Sequence, residues 1–259
     1  TCDGDCGACN DNSTCLDDCG VVNGDNSTCL DECGVVNGDN STCFTNCGDD
    51  IEHESYNYST VLIGEQCWFA ENCRYLPEVS PSSEGSNTEP YYYVYVYEGT
   101  DVAAAKATEN YSTYGVLYNW PAVMTEGVCP SGWHIPSDGE WQTMEMSLGM
   151  SEAEASSEEW RGTDEGYQMK STQGWYNSGN GSNSSGFTGL PGGQRFSGGF
   201  SSNGTFGTWR SASESGSNSW IRQLHYSLNI VWRGECWPNE CFGGSYLRDY
   251  GFSARCVRD

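Results

Sequence analysis

The sequence has few basic residues: 11 Lys and Arg stand against 36 Asp and Glu in 259 residues, for a formal net charge of -25. A chain with so few cations cannot follow the phosphate backbone of a nucleic acid, so nucleic-acid binding is excluded as its main function. No run of 18 apolar residues is present, so no segment is predicted to span a membrane. The three histidines are scattered along the chain, which excludes the paired His ligands of a zinc site.

Cysteine and the small and aromatic residues are abundant instead. Fifteen cysteines indicate disulfide bonds and an oxidising compartment, and therefore an extracellular or cell-surface protein. Thirty-three Gly, 16 Tyr and 10 Trp favour strands and loops over long helices. The acidic balance fits a solvated surface and cations as partners.

A repeat of 14 residues fills the first 50 positions. CGVVNGDNST occurs at 19–28 and again at 33–42. Each unit offers two Val and one Leu for burial, which cannot offset the conformational entropy of ordering 14 residues. Residues 1–50 are therefore predicted to form a stalk stabilised by disulfides, joined to a globular domain at 51–259.

The acids of this stalk predict a calcium site. Residues 1–50 hold ten Asp, one Glu and no Lys or Arg, so these carboxylates repel one another unless a cation lies among them. Calcium takes six to eight hard oxygen ligands in irregular geometry. The repeats resemble the calcium-binding repeats of thrombospondin type 3 and CGVxNGDNSxC arrays of secreted bacterial proteins. The candidate ligands are Asp3, Asp5, Asp11, Asp17, Asn23, Asp25, Asp31, Asn37 and Asp39.

Two other interpretations of the stalk stay open. The repeats can be acidic turns held by disulfides, in which Asn-Gly supplies positive φ. Each repeat also carries one Asn-x-Ser/Thr sequon, at Asn12, Asn26 and Asn40, so the stalk is a candidate for glycosylation.

Six cysteines remain in the globular part, an even number that fits internal pairing. Their tight spacings suggest the pairs Cys67–Cys73 and Cys236–Cys241, which leaves Cys129–Cys256; this is one of 15 possible arrangements. Nine cysteines lie upstream, so one of them is predicted to be free, paired with another chain or paired with sequence that precedes Thr1.

The globular part is predicted to be an α+β domain with few helices. Strand signals lie at 60–64, 91–97, 114–120 and 220–232. The clearest helix begins at Ser137, where Ser137 and Glu140 form a capping box. Residues 151–159 are interpreted as a solvated continuation or loop, and the Gly/Ser/Asn-rich residues 178–219 as long ordered loops.

Five segments in this domain carry a resemblance to a known family. They are YSTVLIGEQCWFAENCRY (58–75), YGVLYNWPAV (114–123), CPSGWHIPSDGEWQTM (129–144), GFTGLPGGQR (186–195) and GFSARCVRD (251–259). Together they resemble the Fibrobacter succinogenes major paralogous domain family. The resemblance implies a secreted or surface-attached protein and a C-type-lectin-like fold, similar to that of the formylglycine-generating enzymes (sulfatase-modifying factors).

Three functions are compatible with the residues. Cys236 and Cys241 have a Cys-x4-Cys spacing similar to the redox pair of formylglycine-generating enzymes, but their flanking residues differ, and no Ser-His-Asp set stands out. Trp237-Pro-Asn-Glu240 resembles the Glu-Pro-Asn loop of C-type lectins, with Trp in place of the first carboxylate, which suggests glycan binding.

The third function is structural, and it is the one we predict. The sequence predicts a non-enzymatic extracellular structural or adhesive protein, one form of which is a self-assembling filament or appendage subunit. Its expected partners are further copies of the chain or cell-surface glycans, and its expected cofactor is calcium.

Overall fold

Short antiparallel strands form the framework of the globular part. The computed structural model describes residues 47–196, 198–216, 218–235 and 247–259. Within them, sheet A has the strand order β3-β4-β14-β7 and sheet B the order β11-β12-β13-β8, and β1–β2, β5–β6 and β9–β10 are two-stranded. The strands are β1 (Ile51–His53), β2 (Tyr56–Tyr58), β3 (Thr60–Ile63), β4 (Gln66–Phe69), β5 (Tyr92–Tyr93), β6 (Leu117–Tyr118), β7 (Trp133–His134), β8 (Glu159–Arg161), β9 (Gln194–Phe196), β10 (Gly199–Ser201), β11 (Phe206–Ser215), β12 (Asn218–His225), β13 (Val231–Gly234) and β14 (Val257–Arg258).

The helices of the described residues are short because their caps lie close together. They are α1 (Val102–Lys106), α2 (Glu109–Tyr114), α3 (Trp120–Val123), α4 (Asp138–Leu148), α5 (Glu152–Ser156) and α6 (Glu165–Met169). The side chain of Thr108 accepts a hydrogen bond at the start of α2, and Gly115, seven residues after Thr108, ends that helix at φ +74°. Only α4 runs for three turns. The sequence therefore stops each of the other helices before it can form a layer.

The predicted C-type-lectin-like, sulfatase-modifying-factor-like α+β fold is wrong. Of the residues that the structure describes, 30% are in strands and 21% in helices, and nothing in them shows a C-type-lectin-like arrangement. The strands of the described residues are divided among five small antiparallel sheets. The expectation failed because it depended on local segments, whereas contacts between distant residues determine how the strands divide into sheets.

The individual strand predictions have mixed outcomes. The strand at 60–64 and the capped helix after Ser137 are present. Of 91–97 only Tyr92–Tyr93 is a strand, because Val96 adopts a left-handed conformation at φ 56° and interrupts the extended run. The supposed long loops of 178–219 contain β9, β10 and the ten-residue β11. Their Gly and Ser content hid these strands, since glycine lowers strand propensity.

Aromatic side chains fill most of the core. One cluster surrounds Tyr58 and Phe69, whose rings stack at 4.4 Å. A second lies between sheet A and α4, where Trp68 contacts Trp141 at 4.9 Å and Phe187 contacts Trp141 at 5.7 Å. Each such ring pair adds about 0.5–1.5 kcal/mol beyond the apolar area that it buries.

Two disulfides link cysteines within the described residues. Cys129 bonds to Cys256 across 127 residues, which is the pairing expected from the sequence. Cys67, however, bonds to Cys47 and not to Cys73, so the predicted Cys67–Cys73 pair is wrong. The hairpin β3–β4 brings Cys67 beside the segment that precedes β1, whereas Cys73 lies in the core as a free thiol.

The structure also changes the count of unpaired cysteines. Residues Cys47–Asp259 form one unit, and Thr1–Asn46 are assigned to another. With Cys47 bonded to Cys67, eight cysteines remain in 1–46, an even number. No helix among the described residues is long and apolar enough to cross a membrane.

Candidate functional site

The segment CPSGWHIPSDGEW (129–141), one of the five segments that carry the family resemblance, connects sheet A to α4. Ser137 Oγ accepts a hydrogen bond from the backbone N–H of Glu140 (3.2 Å), and the Glu140 carboxylate accepts one from the N–H of Ser137 (2.7 Å). This reciprocal pair is the predicted capping box, and it satisfies two donors at the start of α4. Gly149 ends the helix at φ +133°.

A surface cleft lies beside this segment. Its volume is about 710 Å³, and its walls are residues 123–135 together with Ala212. The cleft is lined by Trp133, His134 and the disulfide-bonded Cys129, and Glu126 supplies a carboxylate. The cleft combines apolar walls with a titratable His, which makes it a candidate site for chemistry.

Both ring nitrogens of His134 are occupied. Nε2 contacts Oε1 of Glu140 at 2.7 Å, and Nδ1 contacts the carboxylate of Asp259. Partial burial alone would lower the pKa of His134, but the hydrogen bonds to Asp259 and Glu140 outweigh it and raise the pKa. Because both nitrogens are bonded to carboxylates, neither is free to accept a substrate proton, so this geometry does not suit a general base.

Asp138, two residues before Glu140, lies between two arginines of sheet B. Arg222 and Arg233 are cross-strand neighbours in β12 and β13. Their like charges would repel, but Asp138 Oδ1 accepts from Arg222 Nη1 (2.8 Å) and Oδ2 from Arg233 Nη2 (2.7 Å). Burial alone would raise the pKa of Asp138, yet the two guanidinium groups lower it. The carboxylate is therefore held ionised as a link between α4 and sheet B.

Glu145, about two helical turns after Asp138 in α4, extends this buried ionic network. Its Oε1 accepts from Arg222 Nε (2.7 Å), and its Oε2 accepts from Arg161. Both partners and the carboxylate are essentially inaccessible to solvent. Burial lowers the pKa of Arg161 to about 10, partly offset by Glu145.

The network holds three arginines and two carboxylates. Backbone carbonyls accept from the remaining guanidinium N–H groups, as Val231 does from Arg161 (3.1 Å) and Ser156 from Arg233 (2.9 Å). Every charge thus has partners within the protein, which is the condition for burying it. These groups hold the fold together and are not exposed to a substrate.

Most basic residues of the chain are buried like those of the network. Eight of the 11 are buried, whereas only three acidic residues in the described ranges are: Asp138, Glu145 and Glu165. The buried basic residues are Arg74, Arg161, Lys170, Arg195, Arg210, Arg222, Arg233 and Arg255. Lys106 is exposed, and Arg248 and Arg258 are half-buried. The solvent-facing charge is therefore almost entirely negative.

A row of partly exposed aromatic rings begins on β8 and continues to the end of β12 in sheet B. We define this aromatic row as Trp160, His225, Tyr226 and Tyr176. Successive ring centroids are 6.3, 4.4 and 5.5 Å apart, and Tyr176 is 58% exposed. The turn that carries Tyr176 packs closely on the row, because a Cβ on Gly179 would approach the backbone O of Tyr226 to 2.1 Å. The exposed ring is thus presented on a tightly packed turn.

Lys170 lies beneath the aromatic row. Its ammonium donates to the backbone O of Leu228 at 2.9 Å and lies 5.5 Å from the Trp175 ring. No carboxylate of the described residues forms an ion pair with it. Burial lowers the pKa of Lys170 to about 8. Burial is the main cause that lowers the pKa of His225, and the charge of Lys170 lowers it further. The row therefore carries a neutral imidazole at neutral pH.

Many of the residues predicted as sites lie outside the described ranges. These are the calcium-ligand candidates Asp3, Asp5, Asp11, Asp17, Asn23, Asp25, Asp31, Asn37 and Asp39, the sequons Asn12, Asn26 and Asn40, and the pair Cys236 and Cys241. The lectin-like loop at 237–240 is outside them too. Calcium binding, glycosylation and the Cys236–Cys241 bond stay predictions.

Sequence reasoning missed the arginines of the network, the aromatic row and the free thiol of Cys73. Arg222 lies 77 residues from Glu145 and 84 from Asp138, so no local spacing joins them. One signal was available: a chain with so few bases places nine of its 11 as arginines, the residue suited to buried ion pairs.

Comparison with known proteins bears on the family and on little else. The family model described as Fibrobacter succinogenes major domain matches residues 61–258. Searches of curated proteins and of solved structures found no match. The matched range includes the segment with His134, the buried network and the aromatic row. The chain belongs to the Fibrobacter succinogenes major domain family.

Proposed function

We propose that this chain is a non-enzymatic extracellular structural or adhesive protein that associates in a calcium-dependent way. In this proposal residues 51–259 are a rigid head, and the repeats of 1–50 bind calcium. The partners are further copies of the chain, in a filament or appendage, or a cell surface.

The state of the motif segment supports a non-enzymatic role. The groups most suited to proton transfer there are His134, Asp138 and Glu140. His134 is bonded at both nitrogens, Asp138 accepts from two arginines, and Glu140 caps α4. Each would have to give up a stabilising contact before it could act on a substrate.

The distribution of charge is the single observation that carries the proposal. A net charge of -25 with eight of 11 basic residues buried leaves an almost wholly acidic surface. Two such surfaces repel one another in water, and divalent cations that bind carboxylates remove that repulsion. The repeats add ten Asp in 50 residues with no basic residue.

A calcium titration of the secreted, oxidised full chain by calorimetry tests the binding step. We expect several ions to bind per chain, with Mg²⁺ binding more weakly. The variant Asp25→Asn with Asp39→Asn should lose sites, and Glu152→Gln, an exposed acid of the head, should not. If calcium does not bind to the wild type, the calcium-dependent form of the proposal is wrong.

A second candidate function is glycan binding by the aromatic row. Exposed aromatic faces stack on sugar rings, and the row offers several of them in series. The residues that suggested a lectin loop, Trp237 to Glu240, are not needed for this version. The redox alternative, of the formylglycine-generating type, depends on Cys236 and Cys241 alone, and we do not favour it.

Native-gel retardation in soluble polysaccharides tests glycan binding. We expect retarded migration of the wild type and at least a tenfold loss of affinity in the double variant Tyr176→Ala, Tyr226→Ala, equivalent to about 1.4 kcal/mol. Tyr97→Ala, at a half-buried tyrosine outside the row, is the control. Equal migration of wild type and double variant in every polysaccharide would remove this candidate.

A further inference from the structure

Three cysteine sulfurs meet in the core beneath the cleft. Cys129 and Cys256 form a disulfide, and the free Cys73 Sγ lies 3.4 Å from Cys256 Sγ. All three sulfurs lie within 4.8 Å of one another. Cys73 is the free cysteine of the described residues.

The three residues differ in their access to solvent. Cys73 and Cys256 are fully buried, whereas Cys129 is half-buried and lines the cleft of about 710 Å³. A thiol on Cys129 would therefore be reachable from the cleft, and a thiol on Cys73 is not.

We propose that Cys73, Cys129 and Cys256 form an internal thiol–disulfide exchange site, which can transfer the bond of Cys256 from Cys129 to Cys73. The Cys73 thiolate attacks Cys256 Sγ, so a Cys73–Cys256 bond forms and the Cys129–Cys256 bond breaks. Cys129 leaves as a thiolate and takes up the proton that Cys73 lost. The number of disulfides is unchanged, and no oxidant or reductant is consumed. This inference is independent of the proposed function.

The backbone already holds the two reacting segments together. The N–H of Cys73 donates to the backbone O of Ala254 at 3.0 Å, two residues before Cys256. The Cys73 and Cys256 sulfurs must approach by about 1.4 Å to reach bonding distance. Because the three sulfurs form a compact triangle, the Cys73 side chain must also rotate towards the extension of the existing bond before it attacks.

The surroundings of Cys73 make the exchange slow at neutral pH. Burial raises the pKa of Cys73 to about 12, and the positive charges of Arg255 and Arg74 only partly oppose this. The other titratable groups that interact with it are Glu71, Tyr58 and Tyr118. Below that pKa the reactive thiolate increases about tenfold for each pH unit.

Solvent access favours departure of Cys129 over Cys256. A thiolate in a half-exposed position is better hydrated than one in the core, and the more acidic thiol is the better leaving group. The product carries a free thiol on the cleft wall. Such a thiol would take a disulfide-bearing molecule as ligand: Cys129 would bond to one sulfur of that molecule, and its other sulfur would leave as a thiolate.

Alkylation of the oxidised full chain tests the proposal. The protein is incubated at pH 7, 8 and 9 with excess iodoacetamide and digested without reduction. Chymotrypsin cleavage after aromatic residues isolates each cysteine: Cys73 in 70–75, Cys129 in 119–133 and Cys256 in 253–259. We expect alkylated 119–133 together with a disulfide-linked pair of 70–75 and 253–259, at a rate that rises with pH.

Two variants separate exchange from other routes to a free Cys129. Cys73→Ser removes the nucleophile, so the labelling of Cys129 should disappear while Cys129–Cys256 stays intact. Cys129→Ser should form the Cys73–Cys256 bond. If Cys129→Ser does not fold, Cys73→Ser still decides.

Three results would overturn the proposal. The first is alkylation of Cys73 while the Cys129–Cys256 bond stays intact. The second is that none of the three cysteines is alkylated in the folded protein at pH 7, 8 or 9. The third is labelling of Cys129 that persists in Cys73→Ser.

Discussion

The interior and the surface of the described residues have opposite charge. Arginines are buried in sheet B and beside the cores, where carboxylates and backbone carbonyls accept from them. Carboxylates remain at the surface with few cations nearby. Of the basic residues at the described surface, only Lys106 is exposed and Arg248 and Arg258 are half-buried, whereas proteins usually expose many charges of both signs.

This contrast separates two uses of charge in one chain. Inside, guanidinium groups connect elements that are distant in sequence, as Arg222 connects β12 to α4. Outside, the unpaired carboxylates set how the molecule meets other molecules, since they repel anions and attract cations. Changes inside should therefore alter stability, and changes outside should alter association.

The largest expected effect comes from removing an interior carboxylate. Glu145→Gln leaves Arg161 and Arg222 without their shared partner, and breaking a buried pair costs about 3–5 kcal/mol of unfolding free energy. Denaturant unfolding measures the change. The control Glu152→Gln, an exposed acid in α5, should stay within about 0.5 kcal/mol of the wild type. Equal stability of the two variants would contradict the structural role of the network.

The next effect is at Asp138, which keeps two cross-strand arginines together. Asp138→Asn keeps the shape but loses the charge, and we expect a loss of about 2–3 kcal/mol. Because the pKa of Asp138 is lowered in the folded state, its contribution is present above the unfolded pKa and is lost as pH falls through the folded pKa. Acid unfolding below about pH 4 should therefore be less steep in the variant. A variant as acid-sensitive as the wild type would show that this carboxylate is not the group titrated.

A smaller effect is expected from His134, which lies between interior and surface. Its pKa is raised, so its stabilising contribution is complete below about pH 6.5 and is lost as pH rises through the folded pKa. Since the His134 side chain is 39% exposed, solvent screening limits the effect to below about 1 kcal/mol. The difference in thermal stability between wild type and His134→Gln, measured from pH 5 to 9, should shrink with rising pH. A difference that does not change with pH would refute the charged contact.

The surface should tolerate charge reversal with the least effect on folding. Exposed acids such as Glu78 and Glu158 make no ion pair in the described residues, so Glu78→Lys with Glu158→Lys should change stability by less than about 0.5 kcal/mol. The same variant should associate less readily in calcium, because it has lost surface carboxylates. Thermal unfolding and light scattering on one sample measure both outcomes. A marked loss of stability would show that surface acids also hold the fold.

Local features of the fold were predictable from the sequence. The capping box of Ser137 and Glu140 depends on residues three apart, and it is present. The strand β3 follows from a short apolar run. The Cys129–Cys256 bond was expected because the nearer cysteines had been assigned to each other, although one of those assignments, Cys67–Cys73, is wrong.

Features set by distant residues were not predictable. Asp138 and Arg233 are 95 residues apart, and only the register of sheet B brings them together. The thiol of Cys73 is free because Cys67 bonds to Cys47, a residue that the repeat pattern had placed in the stalk. The fold class failed for a related reason, since the strands divide into sheets through contacts that a local pattern does not contain.

Sedimentation velocity of the oxidised full chain tests the central claim most directly, in chelator, in Mg²⁺ and in Ca²⁺ at matched ionic strength. The account predicts a monomer in chelator and in Mg²⁺ and a larger species in Ca²⁺ that returns to monomer when chelator is added. A monomer under all three conditions, with no binding to a cell surface, would contradict it.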